Sequence, residues 1–124
     1  MPTGLRINID RDSVCAGDSS DPHEAVIEVD PGSTVTVLLQ AAWKACPLAS
    51  ISGGQATWLI DAGGVCIGVA AQQWSSPKLL VPADGAAAAL FASRPATLHF
   101  RYWCQVNPDE VYEAVRSASA LPPR

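Results

Sequence analysis

The sequence predicts an α+β fold: a mixed β-sheet on one main helix, with a second helix added at the C-terminus. Three observations carry this. Short strand-like runs bounded by turn residues recur at 5–10, 25–30, 57–61, 65–71 and 97–103. An apolar stripe at helical spacing, Val35, Leu38, Leu39 and Ala42, separates the second run from the third. A helix-opening signal, Asn107-Pro108-Asp109-Glu110, follows the last run.

Leu5-Arg6-Ile7-Asn8-Ile9-Asp10 alternates apolar and polar residues, as a half-buried strand does. Ser13 to Pro22 is rich in Gly, Ser and Asp and reads as a loop. Ala25–Asp30 is a second strand, with Ile27 and Val29 pointing inward. Ser33 or Thr34 caps the helix through about Ala45, and Cys46-Pro47 ends it, because proline disfavours helical geometry in the residue before it. The β-branched run Val35-Thr36-Val37 works against this helix.

After a loop at Ser50–Gln55, strands Thr57–Asp61 and Val65–Ala71 flank the hairpin signal Ala62-Gly63-Gly64. Val65, Ile67, Val69 and Ala71 should share one face. Cys66, Gly68 and Ala70 make the other face small enough for another backbone to approach closely. Pro77–Pro82 holds a short strand and Ala86–Ala92 a helical turn. In the last run Leu98, Phe100 and Tyr102 alternate with His99, Arg101 and Trp103. Val111 and Val115 line the C-terminal helix at 107–118, and 119–124 is a flexible tail. No internal repeat or long linker divides the chain, so 1–124 reads as a single domain.

Composition narrows the function. Apolar residues make up 48% of the chain and charged residues 16%, which is the composition of a folded globular domain. Of the twelve acidic residues, seven fall between Asp10 and Asp30, against Arg11 alone among the basic ones. That stretch carries about −6, and the remainder about +2. An acidic hairpin of this kind attracts basic partners and repels nucleic acid. The N-terminal residues contain no signal-like apolar run, and no stretch approaches the roughly 18 apolar residues of a membrane helix. The expectation is a soluble cytoplasmic protein with no membrane association.

Cys15, Cys46, Cys66 and Cys104 form no Cys-x-x-Cys pair and read as reduced thiols rather than a zinc site or redox pair, with Cys66 and Cys104 the most buried. His23 and His99 are the only histidines, and no hydrolase, metalloprotease or phosphate-loop motif is present. Asp18-Ser19-Ser20-Asp21-Pro22-His23-Glu24 matches no calcium-loop spacing and reads as a solvated turn. Gly53-Gly54 is a turn. His99 could act as a base beside Asp61 or Asp10, but its place in the alternation is the exposed strand face. No cofactor and no metal is expected.

The element order, with Ile27-Glu28-Val29-Asp30-Pro31 leading into the helix, Leu59-Ile60-Asp61-Ala62-Gly63 at the later hairpin and Ala96-Thr97-Leu98-His99-Phe100 in the closing strand, resembles the ubiquitin-like β-grasp fold over residues 5–103. The resemblance implies a β-grasp-like sheet wrapped on one helix, and no single function. The chain ends Leu-Pro-Pro-Arg rather than in the Gly-Gly of conjugated modifiers, and it lacks the clustered cysteines of ferredoxins. In this arrangement Leu5, Ile7, Ile9, Ile27, Val29, Leu59, Leu98 and Phe100 face the helix. Arg6, Asn8, Glu28, Trp58, Ile60, His99, Arg101 and Trp103 face outward, where Trp and Arg are typical of protein–protein contacts. The competing expectation is that the C-terminal helix folds back over this face through Val111 and Val115.

The leading functional expectation is a non-enzymatic, acidic protein-binding domain that masks a basic partner. In size, acidity and lack of catalytic motifs it resembles bacterial immunity proteins, which neutralise a cognate toxin by binding it. Asp12, Asp18, Asp21 and Glu24 would steer and pair with the partner's cations. Trp58, Trp103 and Arg101 would supply the contact surface. The alternatives are a small-ligand or metal-binding domain with its pocket between the sheet and the C-terminal helix, an enzyme of unrecognised type, and a homodimer through the open sheet face.

Overall fold

A computed structural model describes residues 4–12, 24–46, 56–104 and 106–123. The expected loops at 13–22 and 50–55, with Cys15, His23 and Gly53-Gly54, lie outside them. In chain order the elements are β1 (Leu5–Arg11), β2 (Ala25–Val29), α1 (Val35–Ala45), β3 (Thr57–Ala62), β4 (Val65–Ala71), β5 (Lys78–Leu79), a 3-10 turn (Ala87–Phe91), β6 (Thr97–Tyr102) and α2 (Pro108–Arg116). They form the expected α+β architecture, a mixed six-stranded sheet in the order β2-β1-β6-β3-β4-β5. Only β1 and β6 run parallel. α1 covers one face, and α2 covers part of the other.

α1 forms despite its β-branched start because its first turn is satisfied from outside the helix. The Thr34 hydroxyl accepts the Val37 N–H at 3.2 Å. The Val35 and Thr36 N–H groups donate to the carbonyls of Gly85 (2.9 Å) and Ala83 (3.0 Å), so the 83–85 segment caps the helix from another part of the chain. Val35, Leu38, Leu39 and Ala42 are buried, as their spacing predicts. Beneath them lie Ile7, Ile9, Leu98 and Phe100, with the Trp43 ring edge-on to Phe100 at 6.0 Å.

The inward face of β3 differs from the expectation. Trp58 and Ile60 point to α1 and are fully buried, whereas Leu59 points to the other face. Thr57-Trp58-Leu59-Ile60 is apolar at both parities, so alternation alone does not set its phase. Pairing does. Ile60 sits opposite Phe100 and Trp58 opposite Tyr102, while Leu59 sits opposite Arg101, and opposed residues share a face.

A register shift between β3 and β4 corrects a second expectation. Ile60 pairs with Gly68 but Asp61 pairs with Cys66, so Ile67 is the extra residue of a bulge. Ile67 consequently joins the α1 core while Val69 joins a second cluster with Leu59 and Val111 of α2. The Val65–Ala71 positions of one parity therefore do not share a face.

α2 begins as expected, with the Asn107 side chain accepting the Asp109 N–H at 2.9 Å and proline in the first turn. It folds back over the β3–β4 end of the sheet, as the competing reading has it. Leu121 packs in the same cluster, and the Trp103 indole N–H donates to the Pro122 carbonyl at 2.8 Å. Leu121-Pro122 is thus docked rather than frayed. Among the described thiols, Cys46 is the buried one. Cys66 and Cys104 are half-buried, with Cys104 at φ 58° just beyond β6.

Three glycines are required by the backbone. Gly63 and Gly64 form the β3–β4 turn with φ of 57° and 89°. Gly68 admits β5, as the small-residue face implied: a Cβ there would stand 2.7 Å from the Lys78 carbonyl oxygen. Gly68→Ala should therefore cost about 1–3 kcal/mol of stability in urea unfolding. It should also speed hydrogen exchange at Leu80, whose N–H donates to the Ile67 carbonyl at 2.8 Å.

Candidate functional site

Among the described residues, no helix lies over the β2–β1–β6 end of the sheet on the face opposite α1. Alternation and register bring Arg6, Asn8 and Asp10 of β1 beside Glu28 and Val26 of β2 on one side and Thr97 and His99 of β6 on the other. A shallow hollow of about 780 Å³ opens here, lined by Asn8, Asp10, Glu24, Val26, Thr97 and His99. Val26 is 52% exposed, an apolar spot with Glu24 and Glu28 to either side of it along the chain.

Asp12 anchors the end of this face. Its backbone N–H donates to the Phe100 carbonyl at 3.0 Å. One carboxylate oxygen lies 2.6 Å from His99 Nε2, and the other accepts the Tyr102 N–H at 2.9 Å. Asp12 thus continues the β1–β6 ladder with its side chain where β1 ends, and it fixes the His99 ring. Asp10 accepts the Arg11 N–H through Oδ1 at 2.8 Å. Neither carboxylate expected beside His99 is its bonded partner: Asp12 takes that role, and Asp61 is engaged by Arg101.

Arg101 and Asp61 make a two-pronged pair, Nε to Oδ2 at 2.9 Å and an Nη to Oδ1 at 3.3 Å. The Arg101 guanidinium also lies 5.7 Å from the Trp103 ring centre. These groups form the border between the open face and the part covered by α2.

The expected site residues thus separate. Asp12, Glu24 and Arg101 are on or beside the open face. Trp103 lies at its covered border, tied to the C-terminal segment. Trp58, expected outward, is 1% exposed and belongs to the α1 core because of the β3 pairing. Asp18 and Asp21 lie outside the described residues. Asp10 and His99 are drawn into the hollow by the parallel β1–β6 register, which no local pattern announces. Among the described residues, no group of three or more His, Cys, Asp or Glu side chains is placed to hold a metal ion.

A second concavity, of about 430 Å³, lies on the α1 side near β5. Trp43 and Trp74 line it with Leu39, Leu79, Gln40 and Ser75, and the described residues that line it are all uncharged. The Lys78 ammonium stands 4.7 Å from the Trp74 ring centre. The pocket expected between the sheet and α2 is instead filled by Leu59, Val69 and Val111.

No family model matches the chain, and neither a curated protein nor a solved structure shows significant similarity to it.

Burial, the leading cause in both cases, pushes the Cys46 and Cys66 thiols above their ordinary value of 9.0. They are held in the protonated, weakly nucleophilic form at neutral pH. The unfolded chain ionises first, so the stability this contributes is complete below pH 9 and is lost as pH rises through the higher folded values. Alkylation of both thiols by iodoacetamide at pH 7.5, followed by peptide mass spectrometry, should be slow in the folded protein and rapid in urea.

Proposed function

We propose that this domain is a non-enzymatic, acidic binding protein that masks a basic protein partner, in the manner of a bacterial immunity protein neutralising its toxin. One observation carries the reading: Asp10 and Glu24 gather with the Asp12–His99 pair around an open hollow beside exposed Val26. Carboxylates on an uncovered sheet face raise the local concentration of a cationic protein and orient it before contact. The same field disfavours nucleic acid. An apolar spot bordered by polar and acidic side chains is the layout of a protein-binding surface. Arg101 is committed to Asp61 and Trp103 to Pro122, so both serve as the firm border of this surface rather than as its centre. A cytoplasmic setting accords with the free thiols, and no described helix is long and apolar enough to cross a membrane. The mixed sheet on one main helix supports kinship with the β-grasp fold.

Affinity capture of tagged protein, eluted by a salt step, should recover a basic protein. The Glu24→Lys/Glu28→Lys variant, altered only at exposed positions, should associate with it about tenfold or more slowly at low ionic strength, with the difference shrinking as salt is added. Equal association rates for the variant and the parent would overturn the reading.

The Trp43–Trp74 concavity favours a second reading, a site for a small neutral ring compound. Its volume lies within the roughly 300–1,000 Å³ of ligand sites, and its lining is apolar with a few polar groups. Titration with indole should give saturable NMR shifts at Ala71 and Leu79, and Ala83→Trp, which fills the groove, should abolish them. Shifts that stay linear with indole concentration would dispose of this reading.

A further inference from the structure

The two edges of the sheet are built differently. β5 is two residues long and lies between Pro77 and Pro82, so it offers little backbone for pairing. β2 is five residues long, contains neither proline nor lysine, and pairs with β1 without a register shift. Its outer edge has no strand partner among the described residues.

The register shows which backbone groups that edge presents. The Asn8 N–H donates to the Ala96 carbonyl at 3.0 Å, on the β6 side, and so does not serve β2. In an antiparallel ladder the bonded pairs alternate. Leu5, Ile7 and Ile9 therefore bond to Val29, Ile27 and Ala25, and the N–H and C=O groups of Val26 and Glu28 point away from the sheet. The side chains of Val26 and Glu28, opposite Asn8 and Arg6, belong to the face that carries the acidic hollow, which Glu24 also lines.

A second copy of this chain is a poor occupant. Two-fold antiparallel pairing centred on Ile27 sets Glu24 opposite Asp30, pairing centred on Val26 sets Glu24 opposite Glu28, and pairing centred on Glu28 sets it opposite itself. Each of these three registers opposes carboxylates, which is destabilising. A strand with cations at the first and fifth positions reverses that sign, placing one opposite Glu24 and the other opposite Glu28. Its middle residue meets Val26, and its second and fourth residues turn to the α1 side, beside half-buried Ala25 and Ile27.

We propose that the free edge of β2 accepts an extended basic segment of the partner as an added antiparallel strand, with cations spaced four residues apart. This rests on the basic-partner reading and specifies how that partner is held. Main-chain hydrogen bonds at Val26 and Glu28 supply the pairing, and the flanking glutamates select the sequence.

The test uses the whole chain and the blocked peptide Lys-Val-Thr-Val-Lys. It should give saturable amide shifts centred on Val26 and Glu28 and slow hydrogen exchange at their N–H groups. N-methylation at the peptide's threonine removes the N–H aimed at the Val26 carbonyl and leaves both cations in place. It should weaken binding about tenfold. The peptide with glutamate for both lysines should not bind. Equal binding of the N-methylated and parent peptides would overturn strand addition while leaving the charge reading intact. Absence of saturable binding by the parent peptide would also overturn strand addition, and the basic-partner reading would then stand or fall on the Glu24→Lys/Glu28→Lys association rates. Equal binding of the glutamate peptide would overturn the cation requirement.

Discussion

The parallel pairing of β1 with β6 is the constraint on which the rest of the molecule depends. It joins the beginning of the chain to the strand Thr97–Tyr102 near its end, so everything between must fold on one side of that seam or the other. With Ile9 beside Leu98 and Asp10 beside His99, the pairing sets which side chains face α1 and which face outward. Asp12 secures the end of the seam, using its carboxylate where the β1 backbone no longer supplies an acceptor to the Tyr102 N–H. The chemistry of the open face, His99 bound to a carboxylate and Asp10 close by, follows from that seam.

β6 passes the same orientation to β3. Because Phe100 faces α1, Ile60 opposite it must do so too, and Trp58 goes with it into the core. Leu59 is left on the other face, where it needs cover, and α2 provides it through Val111. The bulge at Ile67 adds an apolar side chain to the α1 core while Val69 stays with Leu59. A single inserted residue thus lets one strand feed two cores of different size. The larger core holds the fold together, and the smaller one locks α2 and the C-terminal segment against one end of the sheet.

Covering that end divides the outer face into two regions of different character. Over β3 and β4 it is apolar and closed. Over β2, β1 and β6 it is charged and carries no covering element among the described residues, with the Arg101–Asp61 pair between the two regions. In the proposed role the carboxylates need not be buried, because a sheet holds them in one orientation and less ordering is left to be done on binding. The acidic surface lies beside the outer edge of β2, which has no strand partner among the described residues, so the proposed electrostatic attraction and strand pairing would act on one and the same partner.

Much of this architecture was legible locally. The strand and helix positions, the Thr34 cap, the Asn107-Pro108 start, the glycine turn and the close approach at Gly68 all follow from short-range chemistry, in which neighbouring residues settle the matter. The excess of acid near β2 was equally plain, and it pointed to a basic partner. What the sequence could not decide was phase and placement. Thr57–Ile60 is apolar at both parities, so only its pairing with β6 could bury Trp58 and turn Leu59 outward. The bulge at Ile67 leaves no signature in composition. Asp12 and His99 are 87 positions apart, and nothing local joins them. Local pattern determined the elements and the charge. Only long-range pairing decided which side chains became core, which became border, and which were left exposed.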